Sequence, residues 1–394
     1  MEGAARDPAE ALRARGGEKW LRYPADVLPS FVADMDFPAA PAVQRAIESV
    51  VEQQSYGYPW LDDPRTIAAA FTRHMDARFG WRVAPERVRP VTDVVQGIAA
   101  CLMAFSERGE GVAIQTPAYP PFFVVVDACD RTLLENPLLD DGTRFRLDAD
   151  GLRALVDERT RILLLCHPQN PTGRVLDEDE LRAVAELAIE RDLVIVSDEI
   201  HADLVYSGRT HIPVASLGDE VAARTVTLTS ATKGFNLAGL RCAVAYFGSD
   251  ELCGRFDRAM PAALLGQITH VSKDATLAAW ESGREWLDEL RELLERNREL
   301  VLARLAADLP QLRCYRPEST YLAWIDCGAL PLDGRSPVEF FLTEAKVAFK
   351  GGPDFGDPGR QFVRLNFATT PEVLDRILDR MTTAVHRHAA SIPA

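Results

Sequence analysis

The chain has 394 residues, 59 Asp and Glu against 44 Lys and Arg, a formal net charge of −15, 47% hydrophobic and 26% charged residues. That is the composition of a globular protein of two to three domains, and no basic run of useful length offers a nucleic-acid surface. No stretch of about 18 uncharged apolar residues is present to cross a membrane. The charged start "MEGAARDPAEALRARGGEKW" lacks the apolar run of a secretory signal. Seven scattered cysteines with no C-x-x-C pair read as reduced thiols, not zinc ligands, so a cytoplasmic protein is expected.

From about residue 93 onward, short apolar runs alternate with helical patterns. "RVRPVT" (87–92) reads as a strand that leads into a helix at Asp93. "GVAIQTP" (111–117), "RILLLCHP" (161–168), "LVIVSDEI" (193–200), "TVTLTS" (225–230) and "CAVAYFG" (242–248) carry little polar alternation, as strands buried on both faces do. "DEDELRAVAELAIERD" (177–192) is a helix opened by a capping aspartate and an acidic first turn. This rhythm predicts an α/β domain with a mainly parallel sheet. A long helix over 284–308 has Leu287, Leu290, Leu294, Val301 and Leu305 at the spacing of a core stripe. After Pro310, "STYLAWIDC" (319–327) and "QFVRLNFAT" (361–369) read as strands and 371–388 as a closing helix, together a smaller α+β domain. The expected boundaries are an N-terminal segment over 1–44 packing with the small domain, a large domain over 45–285 and the small domain over 286–394.

Ligands of parallel α/β sheets bind beyond the carboxyl ends of the strands. At those ends the sequence places Asn170 in "HPQNPTG", Asp198 followed by Glu199 and His201, Ser230 with Lys233, and Asp93 to Gln96 entering a helix. A lysine at that rim can serve as an amine nucleophile, because apolar or cation-rich surroundings lower its pKa from about 10.4. Such an amine forms a Schiff base with an aldehyde, and pyridoxal 5′-phosphate (PLP) is the aldehyde cofactor that needs one. PLP also needs backbone N–H groups for its phosphate, available at 94–96, with Ser230 and Arg241 adding a hydroxyl and a charge. Asp198 would keep its ring nitrogen protonated, the Asn170 amide would meet its phenolic oxygen, and Tyr119 in "TPAYPPF" could stack on its ring.

Each residue alone has a plainer use. Asn170 can shape a turn, Asp198 can cap a helix, and Arg364 in "FVRLNF" can form a structural ion pair. Glu199, His201 and Asp203 alternate, so on a strand they would share a face and could hold a metal. The meeting of these residues at one rim favours the cofactor. Dinucleotide, nucleoside-triphosphate and serine-hydrolase signatures are missing.

"HPQNPTG", "SDEIHADLVYSG", "SATKGFNLAGLR" and "FVRLNFAT", in this order, resemble the class I/II aminotransferase-like enzymes, the fold-type I PLP proteins. With "VADMDFP" (32–38), "YGYP" (56–59), "TPAYPPF" (116–122) and "STYLAWIDC", the chain is similar to their MalY/PatB branch of cystathionine β-lyase-type carbon–sulfur lyases. The resemblance implies an aspartate-aminotransferase-like fold, with Lys233 as the tethering and catalytic lysine and Asp198 as the partner of the ring nitrogen. It places Asn170 on the cofactor's O3′, and Tyr119 on its ring. Ser230, Arg241 and the amides of Val94 and Val95 would hold the phosphate, joined by Tyr58 of the partner subunit in a homodimer with shared sites. Arg364 would clamp the substrate α-carboxylate, and Tyr321 and Lys350 would lie on the substrate side. His201 stands where aspartate-aminotransferase-like members carry tyrosine, as the lyase branch has it.

The implied reaction is elimination of thiol from an S-substituted cysteine to give pyruvate and ammonia, with transamination between an amino acid and a 2-oxo acid as the alternative. Two positions depart from the pattern. Asp93 stands where glycine is common and is expected to point away from the phosphate and cap the helix. Lys350 stands where a small polar residue is usual, and is expected either to meet a distal carboxylate or to be solvated.

Overall fold

The unbroken Val, Ile and Leu runs become strands because branched side chains pack well on a pleat and no polar face draws them to water. In the computed structural model, which describes residues 7–59, 65–332 and 334–391, they are β1 (Val88–Val91), β2 (Gly111–Thr116), β3 (Thr132–Pro137), β4 (Thr160–Cys166), β5 (Val194–Asp198), β6 (Thr225–Thr229) and β7 (Ala243–Phe247). Among the described residues these seven form one sheet in the order β1-β7-β6-β5-β4-β2-β3. β7 runs antiparallel to β6 and β1, and the other pairs are parallel. The expected α/β sheet is therefore present, with β3 added at its edge.

Successive side chains of each central strand enter different cores, as the two-residue period requires. Val112, Ile114, Leu164 and Val196 join one apolar cluster with Ile98, Cys101 and Leu102 of α1 (Val94–Phe105). Phe122 and Val126 of α2 (Pro120–Ala128) lie in the same cluster. Ala113, Leu163, Leu165 and Ile195 join the opposite cluster, with Leu181, Val184, Ala185 and Ala188 of α3 (Glu178–Glu190). α3 starts where expected: Asp177 and Glu180 form a capping box at its N-terminus. With both faces covered by helices, only the strand ends remain open to a ligand.

Contacts divide the chain into two compact units, one of Ala39–Asn170 with Arg174–Arg291, and the other of residues up to Pro38, Pro171–Gly173 and residues from Glu292 onward. The first holds the seven-stranded sheet and α4 (Ala231–Gly234). The division falls within the long helix α5 (Arg284–Asp308). The second unit has an antiparallel sheet in the order β8 (Arg313–Cys314), β9 (Leu322–Asp326), β11 (Phe362–Asn366), β10 (Lys350–Gly351). Its closing helix α6 (Pro371–Ser391) buries Val373, Leu374, Ile377, Leu378 and Met381, a helical stripe. The N-terminal segment of this unit pairs Leu28–Pro29 with Val347–Ala348 in parallel, and a buried Lys19–Asp36 ion pair (2.8 Å) fixes it further.

All seven cysteines are free thiols. Among the described residues no helix is long and apolar enough to cross a membrane.

Candidate active site

β5 ends at Asp198, whose Oδ1 accepts the N–H of Ile200 at 3.1 Å. Only 4% of the residue is exposed. Burial pushes its carboxyl up to about 7, with the adjacent Glu199 carboxylate adding to the rise; the Ile200 N–H and the charge of Lys233 act against it. A carboxyl in that state gains from a second cation in front of it. Beside it, the loop after β4 is pinned by the His167 N–H to the Asp198 carbonyl (2.9 Å) and the Gln169 N–H to the Arg174 carbonyl (2.8 Å). Gln169 Nε2 also donates to the Pro117 carbonyl beyond β2 (2.6 Å). Asn170 is buried in this loop.

β6 leads into Ser230, which caps α4. Its Oγ accepts the Thr232 N–H (3.0 Å) and donates to the Cys242 carbonyl (2.5 Å). Lys233 follows on this single turn and is half-buried. Gly234 permits a close approach there, since a Cβ at 234 would lie 3.2 Å from the Asp203 Cβ and press on it. Asp203 in turn holds His74 at 3.0 Å and Arg78 at 3.7 Å. Burial alone would raise its carboxyl, but these two neighbours hold it below its ordinary value.

At the start of α1, Val94 is buried and Val95 half-buried. Asp93 caps this helix as expected, accepting the Gln96 N–H at 2.8 Å. Its second oxygen pairs with the guanidinium of Arg241. One carboxylate thus engages two of the donors assigned to a phosphate. Tyr119 precedes α2, half-buried, with its ring edge-on to Phe122 at 6.0 Å. Tyr58 is 94% exposed. It borders a cavity of about 500 Å³ lined by residues 55–59 and 267–271.

The metal alternative fails on geometry. β5 stops at Asp198 and His201 already opens a 3-10 turn (Ala202–Leu204), so Glu199, His201 and Asp203 do not share a strand face. Glu199 instead accepts from Ser197 Oγ (2.9 Å) and the Val214 N–H (3.1 Å), and meets His211 Nε2 at 2.8 Å. Among the described residues no cluster of three metal-ligating side chains exists. His211, His74 and Arg78 were not singled out from the sequence, because nothing in their local spacing marks them. His167 stacks on His211 at 4.7 Å, and burial, with His211 close by, pushes it well below its ordinary pKa.

In the second unit, Arg364 of β11 is 4% exposed. Its Nη2 donates to the Phe31 carbonyl at 2.9 Å, and its guanidinium lies 5.0 Å over the Phe355 ring. Tyr321 is buried, with its hydroxyl donating to the Ala33 carbonyl (3.0 Å). Lys350 of β10 is the direct partner of Arg364 across the ladder, with its amine 2.6 Å from Asp354.

Residues 39–381 match the family described as aminotransferase class I and II. The chain belongs to this family. Within it, the chain is 33% identical to cystathionine beta-lyase PatB of Bacillus subtilis (strain 168), covering 91% of this chain and 93% of that protein. It is 32% identical to the cystathionine beta-lyase of Corynebacterium glutamicum, covering 95% and 98%. The crystal structure of a PLP-bound C-S lyase from Staphylococcus hominis superposes with a TM-score of 0.88 at 27% identity, over 95% of this chain and 96% of that one.

The donor set of the first unit fits PLP. A lysine stands on the turn after β6, and a buried carboxyl raised toward neutrality waits for a cation. A helix start beside a serine and an arginine suits a phosphate.

Proposed function

We propose that this aminotransferase-family protein is a PLP-dependent carbon–sulfur β-lyase that eliminates thiol from an S-substituted cysteine, leaving pyruvate and ammonia. The observation that carries this reading is the 32–33% identity over most of the chain to the two cystathionine beta-lyases, with Lys233 on the turn after β6 and the buried Asp198 at the end of β5 supplying groups that PLP needs. Bound PLP supplies an electron sink for the pair left at the substrate Cα. Lys233 Nζ would tether the cofactor's aldehyde and would serve as the base for the substrate Cα proton. Asp198 would pair with the ring nitrogen and keep it protonated, with its own carboxyl ionised.

Asn170 would hold the ring through its phenolic oxygen, Tyr119 would stack on it, and His201 would help to hold it near Asp198. The amides of Val94 and Val95, with Ser230 and Arg241, would hold the phosphate. Arg364 grips the α-carboxylate in a two-pronged pair, so that the Cα–H bond stays aligned. Tyr321, through Ala33, steadies the segment that carries Phe31. Transamination, the second reading, would draw on the same residues, and the family's name supports it.

The proposal extends to a cytoplasmic homodimer, consistent with seven free thiols. Tyr58 and Tyr56, two large exposed side chains, suit a subunit contact. PLP-loaded protein mixed with cystathionine should release pyruvate. Amino-group transfer to 2-oxoglutarate without pyruvate would replace the lyase reading with the transferase one.

A further inference from the structure

We infer that Lys350 is the second anchor for substrates whose sulfur substituent ends in a carboxylate, so that the preferred S-substituted cysteines are acidic ones. The inference rests on the reading of Arg364 as the α-carboxylate clamp and names the substrate class of that same site. Lys350 and Arg364 are direct partners in the antiparallel ladder of β10 and β11. Direct partners leave the same face with Cβ atoms about 5 Å apart. Trp324 of β9 is the partner of Arg364 on its other side. One row therefore runs Lys350, Arg364, Trp324.

Two cations facing each other across a ladder destabilise it, and each is offset separately here. Arg364 lies against the Phe31 carbonyl and the Phe355 ring. Lys350 is held by the Asp354 carboxylate, in a pair whose side chains are 37% and 51% exposed. An ion pair that open to water is weak, and a ligand carboxylate can replace it. The row then presents two cationic heads to one molecule. A substrate with its α-carboxylate on Arg364 and a second carboxylate a sulfur and a few methylenes away meets both. A neutral alkyl substituent leaves Lys350 with Asp354 and gains nothing from it.

The test compares two near-isosteric substrates, S-(2-carboxyethyl)-L-cysteine and S-(2-carbamoylethyl)-L-cysteine, on the PLP-loaded protein. The acid should be favoured about tenfold in kcat/KM, chiefly through KM. Lys350→Met should collapse that ratio toward one, whereas Asp354→Asn, which frees the amine, should widen it. Equal turnover of acid and amide by the unmodified protein, or an unchanged ratio in Lys350→Met, overturns the inference. Substrate binding followed by the cofactor's absorbance change gives the same ratio without turnover. Absence of pyruvate from every substrate therefore refutes the lyase reading alone, while the Lys350 comparison still decides.

Discussion

Asp198 carries a cost that its surroundings do not remove. In cofactor-free protein its carboxyl sits at about 7 instead of an ordinary 3.8, because burial disfavours the anion. Below pH 3.8 it is protonated both folded and unfolded, and the site is neutral to stability. As pH rises toward 7 the unfolded chain ionises first, and on the order of 4 kcal/mol of stability is lost. Asp198→Asn removes that loss. Thermal denaturation of the cofactor-free proteins should show the variant more stable at pH 8 and the two alike near pH 4; a gap independent of pH would contradict this.

Asp93 is the other residue with a measurable consequence. Its carboxylate engages the Gln96 N–H and Arg241, both beside the proposed phosphate position. A carboxylate there repels a phosphate dianion and competes for its arginine. Glycine at an N-cap costs only a few tenths of a kcal/mol. Asp93→Gly should therefore tighten PLP binding to the cofactor-free protein about tenfold. Titration followed by cofactor absorbance checks it, and weaker binding would mean that Asp93 instead presents the arginine. The rim residues stood out in the sequence because lysine, aspartate and asparagine seldom lie at or just beyond the ends of buried strands. The His74–Asp203 and His211–Glu199 pairs were not, since their members lie 129 and 12 residues apart with no shared motif.

At the scale of elements, the apolar runs and the 177–192 pattern located the central strands and α3 within a few residues of their observed ends. α5 occupies 284–308 as expected. β3 escaped notice because an edge strand faces water: "TLLENP" buries only Asn136 fully and carries Glu135 in its middle. The Glu199–His201–Asp203 alternation misled for a related reason, since a two-residue period means a shared face only while the strand continues. Central strands, buried on both sides, should hold the sheet most tightly. Leu164→Ala, at a position 1% exposed in β4, should cost about 2–5 kcal/mol. A denaturant midpoint lowered by less than 1 kcal/mol equivalent would show that the core repacks around the gap.

For the whole molecule, the proposal requires two copies. Light scattering should report twice the 43.5 kDa chain mass. Tyr58→Ala should weaken PLP binding even where the dimer persists, because the role proposed for its hydroxyl is at the partner's phosphate; unchanged affinity would remove Tyr58 from that role. A pairing of this kind leaves little trace in one chain's sequence beyond exposed aromatics such as Tyr56 and Tyr58.

The central claim is that one amine, Lys233, carries the cofactor covalently. Borohydride reduction of PLP-loaded protein, followed by peptide mass mapping, should place a pyridoxyl group on Lys233 and leave Lys233→Ala unlabelled. A label on another lysine, or none on 233, would contradict the account.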